Sequence, residues 1–294
     1  MSIAVVTGAS AGIGRATALA FAAEGYDVAL LSRNADRLAQ LQKEIQARER
    51  NALALPLDVA DAAAVDAAAE RVEATLGPIE VWISNAMVSV FSPVAEMTAA
   101  EFRRVTEVTY LGAVYGVLAA LRRMKARDRG SIVIVGSALA YRGIPLQSAY
   151  CAAKHALKGF NDSLQSELIH DRSRVRVTML QLSAFNTPQF DWAMSRMPRK
   201  ARPMGTPFQP ERAARAILRA ARRGRGEVMV GFPGRRAIWA SKLFPRLVDH
   251  YLARYGYEGQ QAREARDPRA AHNLWDSVPG DFGAHGRFDD IAKE

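Results

Sequence analysis

The chain has 294 residues, of which 49% are hydrophobic and 24% are charged, so its composition argues against disorder of the whole chain. The single cysteine, Cys151, excludes an internal disulfide framework and fits a reducing compartment. The formal net charge of +10 is concentrated in residues 192–236, where twelve arginines and lysines accompany two glutamates. We expect a solvated basic surface there, with attraction to phosphate, an acidic substrate or anionic lipid as the alternatives.

The N-terminal stretch MSIAVVTGASAGIG has no basic flank before its apolar run and reaches a glycine within eight residues. It is therefore interpreted as a buried strand and not as a signal peptide. No run of 18 or more apolar residues occurs, so no membrane span is predicted. We expect a cytoplasmic protein, with membrane association left open.

Short apolar runs alternate with longer amphipathic ones over most of the chain. This alternation is typical of βαβ units around a parallel sheet. We therefore predict an α/β fold in a single domain, a doubly wound parallel sheet of about seven strands with helices on both faces. Strands are predicted near residues 3–7, 27–32, 52–56, 80–84, 131–136, 175–181 and 227–231.

The segment 98–124, TAAEFRRVTEVTYLGAVYGVLAALRRM, is predicted to be helical and opens with a capping box formed by Thr98 and Glu101. Its apolar surface covers more of the circumference than one core-facing stripe requires. This excess predicts burial against a second subunit.

Three regions are predicted along the chain. Residues 1–235 form the nucleotide-binding and catalytic domain. Residues 236–255 form an amphipathic helix rich in aromatic and basic residues, interrupted by Pro245. Residues 256–294 lose apolar periodicity and gain proline, glycine and charge, which predicts an extended or disordered polar tail.

The turn after the first predicted strand carries Gly8, Gly12 and Gly14 in the sequence TGASAGIG, which also contains Ser10 and Ile13. Such a turn needs residues without Cβ so that the backbone can approach a pyrophosphate at the helix N-terminus. Glycines alone are a weak signal, but here they stand at the first strand-to-helix junction of a βαβ pattern. The pattern predicts a dinucleotide cofactor.

The end of the second strand indicates which dinucleotide is bound. Enzymes that bind the unphosphorylated cofactor usually place an acid there for the adenosine ribose 2′-hydroxyl. This strand ends instead with Ser32 and Arg33. A guanidinium can pair with a 2′-phosphate, which a carboxylate would repel. We therefore predict NADP(H) over NAD(H), with a solvated loop arginine as the alternative interpretation.

Ser137 follows a predicted strand, and Tyr150 and Lys154 lie thirteen and seventeen residues further on. Tyr150 and Lys154 share a helix face, and this layout predicts hydride transfer to a carbonyl, with Tyr150 giving the carbonyl oxygen its proton. An ammonium about 5 Å away, at an effective dielectric constant of about 20, would lower the tyrosine pKa by ~2 units. Ser137 would hydrogen-bond the same oxygen.

A rival pair, Cys151 and His155, occupies the same two turns of this helix. A thiolate nucleophile would need a third, orienting partner and an oxyanion site, and neither is recognisable in the sequence. Both residues are therefore predicted to be packing residues.

These motifs resemble the short-chain dehydrogenase/reductase (SDR) family from about residue 3 to about residue 190. The resemblance implies a Rossmann-like fold, a dimer or tetramer built on two long helices, Tyr150 as proton donor, and Lys154 also holding the nicotinamide ribose. It implies that Asp58 in LDV binds the adenine, that Asn85 and Ala86 in SNAM line the adenosine side, and that Thr187 contacts the carboxamide. The predicted cofactor-binding residues are Gly8, Ser10, Gly12, Ile13, Gly14, Ser32, Arg33, Asp58, Val59, Asn85, Ala86, Tyr150, Lys154 and Thr187.

Two departures from the family pattern stand out. Met87 replaces the glycine that usually ends the strand-four motif, which should crowd the pocket near the nicotinamide. Thr109, in EVTYLG, replaces an asparagine that in the family steadies a helix distortion and holds a water relaying protons to the lysine. Because it stands in the position of that asparagine, Thr109 is predicted as a fourth catalytic residue. Threonine lacks the two donors of an amide, so we expect a slower enzyme.

The loops expected to cap the site are rich in methionine and aromatic residues, which suit a bulky apolar carbonyl or alcohol. The alternative function is an NADP(H)-binding protein of low turnover that acts as a peripheral membrane or partner-binding regulator. Nucleic-acid binding and a metal site are not predicted. The loop residues concerned are Met87, Val90, Phe91, Leu139, Tyr141, Phe185, Phe190, Trp192, Met194 and Met197.

Overall fold

The computed structural model describes residues 2–224, 226–231, 239 and 241–294. Its centre is a seven-stranded, all-parallel sheet, so the predicted fold class is confirmed, and each predicted strand ends within one residue of its observed limits. The strands are β1 Ile3–Thr7, β2 Asp27–Ser32, β3 Ala52–Pro56, β4 Ile79–Ser84, β5 Val90–Phe91, β6 Ser131–Val135, β7 Arg176–Leu182, β8 Met194–Ser195, β9 Arg199–Ala201, β10 Gly226–Val230 and β11 Gln261–Ala265. Strands β5, β8, β9 and β11 form two small separate sheets.

The order of the central sheet is β10-β7-β6-β4-β1-β2-β3. Strands β1, β2 and β3 therefore follow one another toward one edge of the sheet, and β4, β6, β7 and β10 follow one another toward the other edge. In open α/β sheets, ligands bind beyond the carboxyl ends of the strands at the point where the order reverses. That point lies between β1 and β4.

Helices cover both faces of the sheet. Strands β1 and β6 are buried at every residue, as expected for parallel strands covered on both sides. Two apolar cores result, one beneath α1, α2 and α8 and the other beneath α3, α5 and α6. The helices are α1 Gly12–Ala23, α2 Ala35–Gln46, α3 Ala62–Thr75, α4 Ala99–Thr106, α5 Gly112–Arg127, α6 Ser148–His170, α7 Gln189–Trp192, α8 Pro210–Arg223 and α9 Pro245–Tyr251.

The long helix predicted after Thr98 is distorted at its centre. Its capping box is present, because the Thr98 hydroxyl accepts from the Glu101 N–H and the Glu101 carboxylate accepts from the Thr98 N–H. Between α4 and α5, Glu107–Leu111 forms a single π-helical turn. Such turns are frequent at functional sites, and this one carries Thr109.

The helix predicted over residues 236–255 is only partly described. Residues 236–238 and 240, and the predicted boundary after residue 235, lie outside the described residues. Helix α9 begins at Pro245, where a proline is well tolerated because the first helical N–H has no partner within the helix. Among the described residues, no helix is long and apolar enough to cross a membrane.

Residues 257–294, the C-terminal strap, lie across the carboxyl edge of the sheet. Strand β11 pairs antiparallel with β9, and Leu274 is fully buried in the core beneath α3, α5 and α6. Near the C-terminus, Lys293 exchanges backbone hydrogen bonds with the segment before α8. The C-terminal strap is therefore packed on the domain through β11, Leu274 and Lys293.

Candidate active site

Close packing of backbone at the switch point shapes the candidate cofactor site. Gly8 has φ +67°, and a Cβ there would lie 2.9 Å from the Cα of Ala86. A Cβ on Gly14 would lie 2.1 Å from the carbonyl oxygen of Gly8. Side chains at either position would push α1 and the loop after β4 away from β1, so glycine is required at both.

Hydrogen bonds from Asn85 and Ala86 join the ends of β1 and β4. The hydroxyl of Thr7, which is buried, accepts from the backbone N–H of Asn85 at 2.9 Å and of Ala86 at 3.1 Å. The Asn85 amide donates to the carbonyl of Thr7 at 3.0 Å. Asn85 therefore fixes the glycine turn as well as lining the cavity.

A cavity of about 170 Å³ lies beyond this turn. The buried Ser32 hydroxyl has no partner among the described residues, and Gly12, at φ +57°, adds a second bend without Cβ. This unmet hydrogen-bonding capacity and the glycine turn fit a dinucleotide. Eleven of the predicted cofactor residues line the cavity: Gly8, Ser10, Gly12, Ile13, Ser32, Arg33, Asp58, Val59, Asn85, Ala86 and Thr187.

Two of these side chains have partners that the sequence did not predict. Arg33 donates to backbone carbonyls of the C-terminal strap, and burial lowers its pKa, while the charge of Asp58 opposes that shift. Asp58 accepts from the Ala60 N–H at 3.0 Å and forms an ion pair with Arg104, a buried side chain on α4. Each oxygen of the carboxylate expected to bind adenine thus already has a partner, Oδ1 from Ala60 and Oδ2 from Arg104.

A second cavity of about 580 Å³ contains the predicted catalytic residues Ser137, Tyr150 and Lys154 in its lining. Five residues line both cavities, so the two cavities adjoin. Tyr150 and Lys154, predicted also to bind cofactor, line this second cavity and not the first. The shared residues are Ile13, Asn85, Met87, Thr187 and Gln189.

Tyr150 and Lys154 lie on successive turns of α6, with the ammonium 5.6 Å from the tyrosine ring centre. Lys154 is buried, its Nζ donates to the Val135 carbonyl at 2.7 Å, and burial lowers its pKa to about 8. Burial also raises the pKa of Tyr150 above its usual value of 10, against a hydrogen bond with Ser137 that lowers it. The lowered Tyr150 pKa predicted from the position of Lys154 is therefore wrong, because desolvation of the buried phenol dominates.

Thr109 uses its hydroxyl locally. Its Oγ1 accepts from the Val88 N–H at 3.1 Å and donates to the Val88 carbonyl at 2.9 Å, and the side chain is fully buried. A hydroxyl has a single hydrogen, so this geometry leaves none for a water beside Lys154. Thr109 therefore ties the π turn to the loop after β4.

Sequence reasoning missed the support beneath Ser137. The Gln181 side-chain oxygen, buried at the end of β7, accepts from the Ser137 N–H at 2.8 Å. Its Nε2 donates to Glu227 at 2.6 Å, and the Tyr141 hydroxyl donates to the same carboxylate. A Cβ on Gly136 would lie 2.5 Å from the Gln181 side-chain oxygen, so this contact requires glycine before Ser137. That glycine was the sequence signal from which the contact could have been predicted.

The rival pair on α6 does not form a dyad. His155 Nδ1 contacts the backbone carbonyl of Cys151 at 2.8 Å, one turn earlier. Burial raises the pKa of the Cys151 thiol, which disfavours the thiolate. Cys151 is buried as a packing residue should be, whereas His155 is exposed and contacts the helix backbone through this carbonyl, so a packing role for His155 was wrong.

The apolar loop residues divide between cavity and core. Met87, Leu139, Phe185 and Phe190 line the larger cavity, and Trp192 lines the smaller one. Five others were predicted to cap the site but line neither cavity. Val90 and Phe91 are buried in β5, which pairs with Met194 and Ser195 of β8, and Met197 is buried in a small apolar cluster. The Tyr141 hydroxyl donates to Glu227.

The family model described as short chain dehydrogenase matches residues 2–196. An uncharacterized oxidoreductase of Bacillus subtilis, YxnA, is 33% identical over 280 residues, covering 95% of this chain and 79% of that protein. A 3-ketodihydrosphingosine reductase of Bos taurus is 30% identical over 238 residues, covering 78% of this chain and 71% of that protein.

Solved structures of similar proteins share the fold. An alcohol dehydrogenase from Thermococcus sibiricus, complexed with 5-hydroxy-NADP, has a TM-score of 0.69 at 28% identity, covering 78% of this chain and 96% of its own. A short-chain dehydrogenase from Streptomyces avermitilis has a TM-score of 0.72 at 26% identity, covering 87% and 96%. The chain belongs to the short-chain dehydrogenase/reductase family, oxidoreductases that use a nicotinamide cofactor and act on CH–OH or C=O groups.

Proposed function

We propose that this protein is an NADP(H)-dependent oxidoreductase that interconverts an apolar carbonyl compound and its alcohol, with Tyr150 as the general acid and base. The observation that carries the proposal is that the two cavities are adjacent and share five lining residues. The cavity with Ser137, Tyr150 and Lys154 adjoins the glycine turn through side chains common to both. The bound cofactor would supply or accept hydride at this junction.

Each catalytic side chain has a role that follows from its surroundings. Tyr150, with its raised pKa, stays protonated at neutral pH and can donate its proton to a carbonyl oxygen. Ser137 hydrogen-bonds Tyr150 and is held from behind by Gln181, so its hydroxyl can orient that oxygen. Lys154, whose pKa is about 8, remains mostly charged at pH 7 and favours the tyrosinate formed on proton transfer.

Three observations support NADP(H) over NAD(H). Strand β2 ends at Ser32 with Arg33 next, so no carboxylate stands where it would repel a 2′-phosphate. The Ser32 hydroxyl is buried without a partner among the described residues, and Arg37 lines the same cavity as Arg33. The similar Thermococcus sibiricus enzyme is complexed with 5-hydroxy-NADP.

The cavity around Tyr150 favours a bulky apolar substrate. Its volume of about 580 Å³ is within the roughly 300–1,000 Å³ of small-molecule sites, and most of its lining is apolar. The Bos taurus relative named 3-ketodihydrosphingosine reductase supports a lipid-like ketone. We place lipid-like carbonyl compounds ahead of sugars.

An exposed apolar surface at the cavity mouth favours a second role, peripheral contact with a membrane. Trp239, Leu243, Phe244 and Leu247 each expose more than half of their surface. Lys242 and Arg246 alternate with these residues and suit anionic lipid. Helix α9 also contributes to the cavity lining, so a lipid-like substrate could enter from that side. We propose that the protein works in the cytoplasm with this surface against a membrane.

Exposed apolar side chains on α4, α5 and α6 support a homodimer or homotetramer. Phe102, Leu118 and Ile169 are 40%, 41% and 76% exposed, respectively. These are the two long helical regions expected to form the subunit interface. We propose that a second copy of the chain covers them.

The first prediction tests the chemistry. In a screen of NADPH oxidation over apolar aldehydes and ketones, we expect the wild type to turn over at least one class. Tyr150→Phe should reduce kcat by about 10²–10⁴-fold because the acid is lost. Tyr110→Phe, which changes a tyrosine packed on the core, is the control. A fully active Tyr150→Phe would contradict the assignment.

The second prediction tests cofactor choice. Arg33→Ala should weaken NADPH binding by about ten- to a hundredfold, the size expected for hydrogen bonds to a charged group, and weaken NADH binding much less, because NADH has no 2′-phosphate and loses only the contacts of Arg33 with the strap. Fluorescence titration measures both dissociation constants, with Arg50→Ala, at an arginine that lines neither cavity, as control. Equal affinities of the wild type for NADPH and NADH would refute the preference.

The third prediction tests the membrane surface. The wild type should sediment with phosphatidylserine-containing vesicles more than with neutral ones, and Leu243→Glu should abolish the difference, because it places a carboxylate in the apolar surface. Val94→Glu, at a residue 69% exposed elsewhere on the molecule, is the matched control. No sedimentation with either vesicle would end this proposal.

A further inference from the structure

The C-terminal strap forms one wall of the smaller cavity. Asn273, Ser277 and Val278 line it together with residues of the glycine turn and the end of β2. The strap also reaches the start of α1, where the Gly12 N–H donates to the Gly283 carbonyl at 3.0 Å. The candidate adenosine site is thus enclosed by residues far apart in the sequence.

Three arginines of the domain hold this part of the strap by its backbone. Arg33 donates to the carbonyls of Asn273 and Trp275, both at 2.6 Å, and more weakly to that of Leu274 at 3.5 Å. Arg104 donates to the Leu274 carbonyl at 3.0 Å, and Arg37 donates to two carbonyls further along. Hydrogen bonds from charged donors are stronger than neutral ones, so the strap is firmly seated.

Apolar contacts add to this anchoring. Leu274 is 0% exposed, although it lies in a polar segment. The Arg37 guanidinium packs 5.0 Å from the Trp192 ring and 4.9 Å from that of Phe282 on the strap. The Asn273 N–H donates to the Trp192 carbonyl at 2.9 Å, which fixes the backbone next to the cavity.

Hydrogen-bonding capacity is left over on both sides of the cavity. The Asn273 side-chain oxygen and the Ser32 hydroxyl are buried and have no partner among the described residues. A buried polar group left without a partner costs roughly 1–3 kcal/mol. Both residues line the cavity, so a ligand with hydroxyl or amino donors would satisfy them.

Arg33 can serve the strap and a ligand together. A guanidinium has five N–H donors, and the strap carbonyls take three of them among the described residues. Two donors remain for a phosphate. Held at three points, the side chain would lose little further freedom on binding.

We propose that the C-terminal strap is part of the cofactor site, with the Asn273 side-chain oxygen accepting a hydrogen bond from the adenosine half of a 2′-phosphorylated dinucleotide. This inference rests on the proposed NADP(H) dependence. Because the strap forms one wall of the cavity, we expect the rates at which the cofactor enters and leaves to depend on the contacts that seat Leu274.

Two variants distinguish the hydrogen bond of Asn273 to the cofactor from the seating of the strap by Leu274. Asn273→Ala removes the side-chain oxygen and retains the backbone carbonyl that Arg33 uses, so the NADPH dissociation constant should rise by about three- to tenfold, the value of one hydrogen bond. Leu274→Ala loosens the anchor, so stopped-flow fluorescence should show faster NADPH association, and release accelerated still more. Arg269→Ala, at an exposed strap position, is the matched control.

Proteolysis gives an independent measure of closure. NADPH should slow tryptic cleavage after Arg263 and Arg269 in the wild type and protect less in Leu274→Ala. Circular dichroism checks that each variant is folded. If Leu274→Ala does not fold, Asn273→Ala decides alone.

The outcomes distinguish the two proposals. A wild type that binds neither NADPH nor NADH would overturn the proposed function and this inference together. A wild type that binds NADPH, with Asn273→Ala unchanged in affinity, would overturn the inference alone. Tighter NADPH binding by Leu274→Ala would also overturn it, because the strap would then be a competitor of the cofactor.

Discussion

The site depends on the contact between the ends of β1 and β4. The Thr7 hydroxyl receives two backbone N–H groups from the loop after β4, and the Asn85 amide returns a hydrogen bond to the Thr7 carbonyl. This pairing leaves no room for a Cβ at Gly8 or Gly14. The glycine turn, the start of α1 and the junction of the two cavities all take their positions from it.

Buried arginines connect this centre to the rest of the chain. Arg33 follows β2, Arg37 lies on α2 and Arg104 on α4, yet all three hold the C-terminal strap. Arg104 also pairs with Asp58, so one guanidinium links the strap to the carboxylate expected near the adenine. These three arginines lie outside residues 192–236, where the net charge is concentrated, and they serve a structural role around the candidate cofactor site.

The sequence predicted the sheet closely because parallel strands buried on both faces are near-continuous apolar runs, as in β1 and β6. It predicted the glycine turn because such a turn has few compatible residues. The position of the C-terminal strap could not be predicted from the sequence. Its seating relies on backbone carbonyls, which any residue carries, and on one leucine, Leu274, within a polar segment. The Gln181 contact was missed because a single amide in a strand has no periodic signature.

The direction of the Tyr150 pKa shift shows a related limit. Helical spacing places Lys154 near the tyrosine, but it does not reveal that Lys154 donates to the Val135 carbonyl or that burial dominates both groups. Side-chain spacing predicts which groups meet, and the surrounding packing decides their charge.

Transfer of isotope from the cofactor tests the central claim most directly. NADPH carrying deuterium at one of the two C4 positions would be incubated with the enzyme and an apolar ketone, and the alcohol analysed by mass spectrometry. The account predicts one deuterium on the carbinol carbon from only one of the two labelled cofactors. Alcohol formed without deuterium from either would contradict hydride transfer at this site.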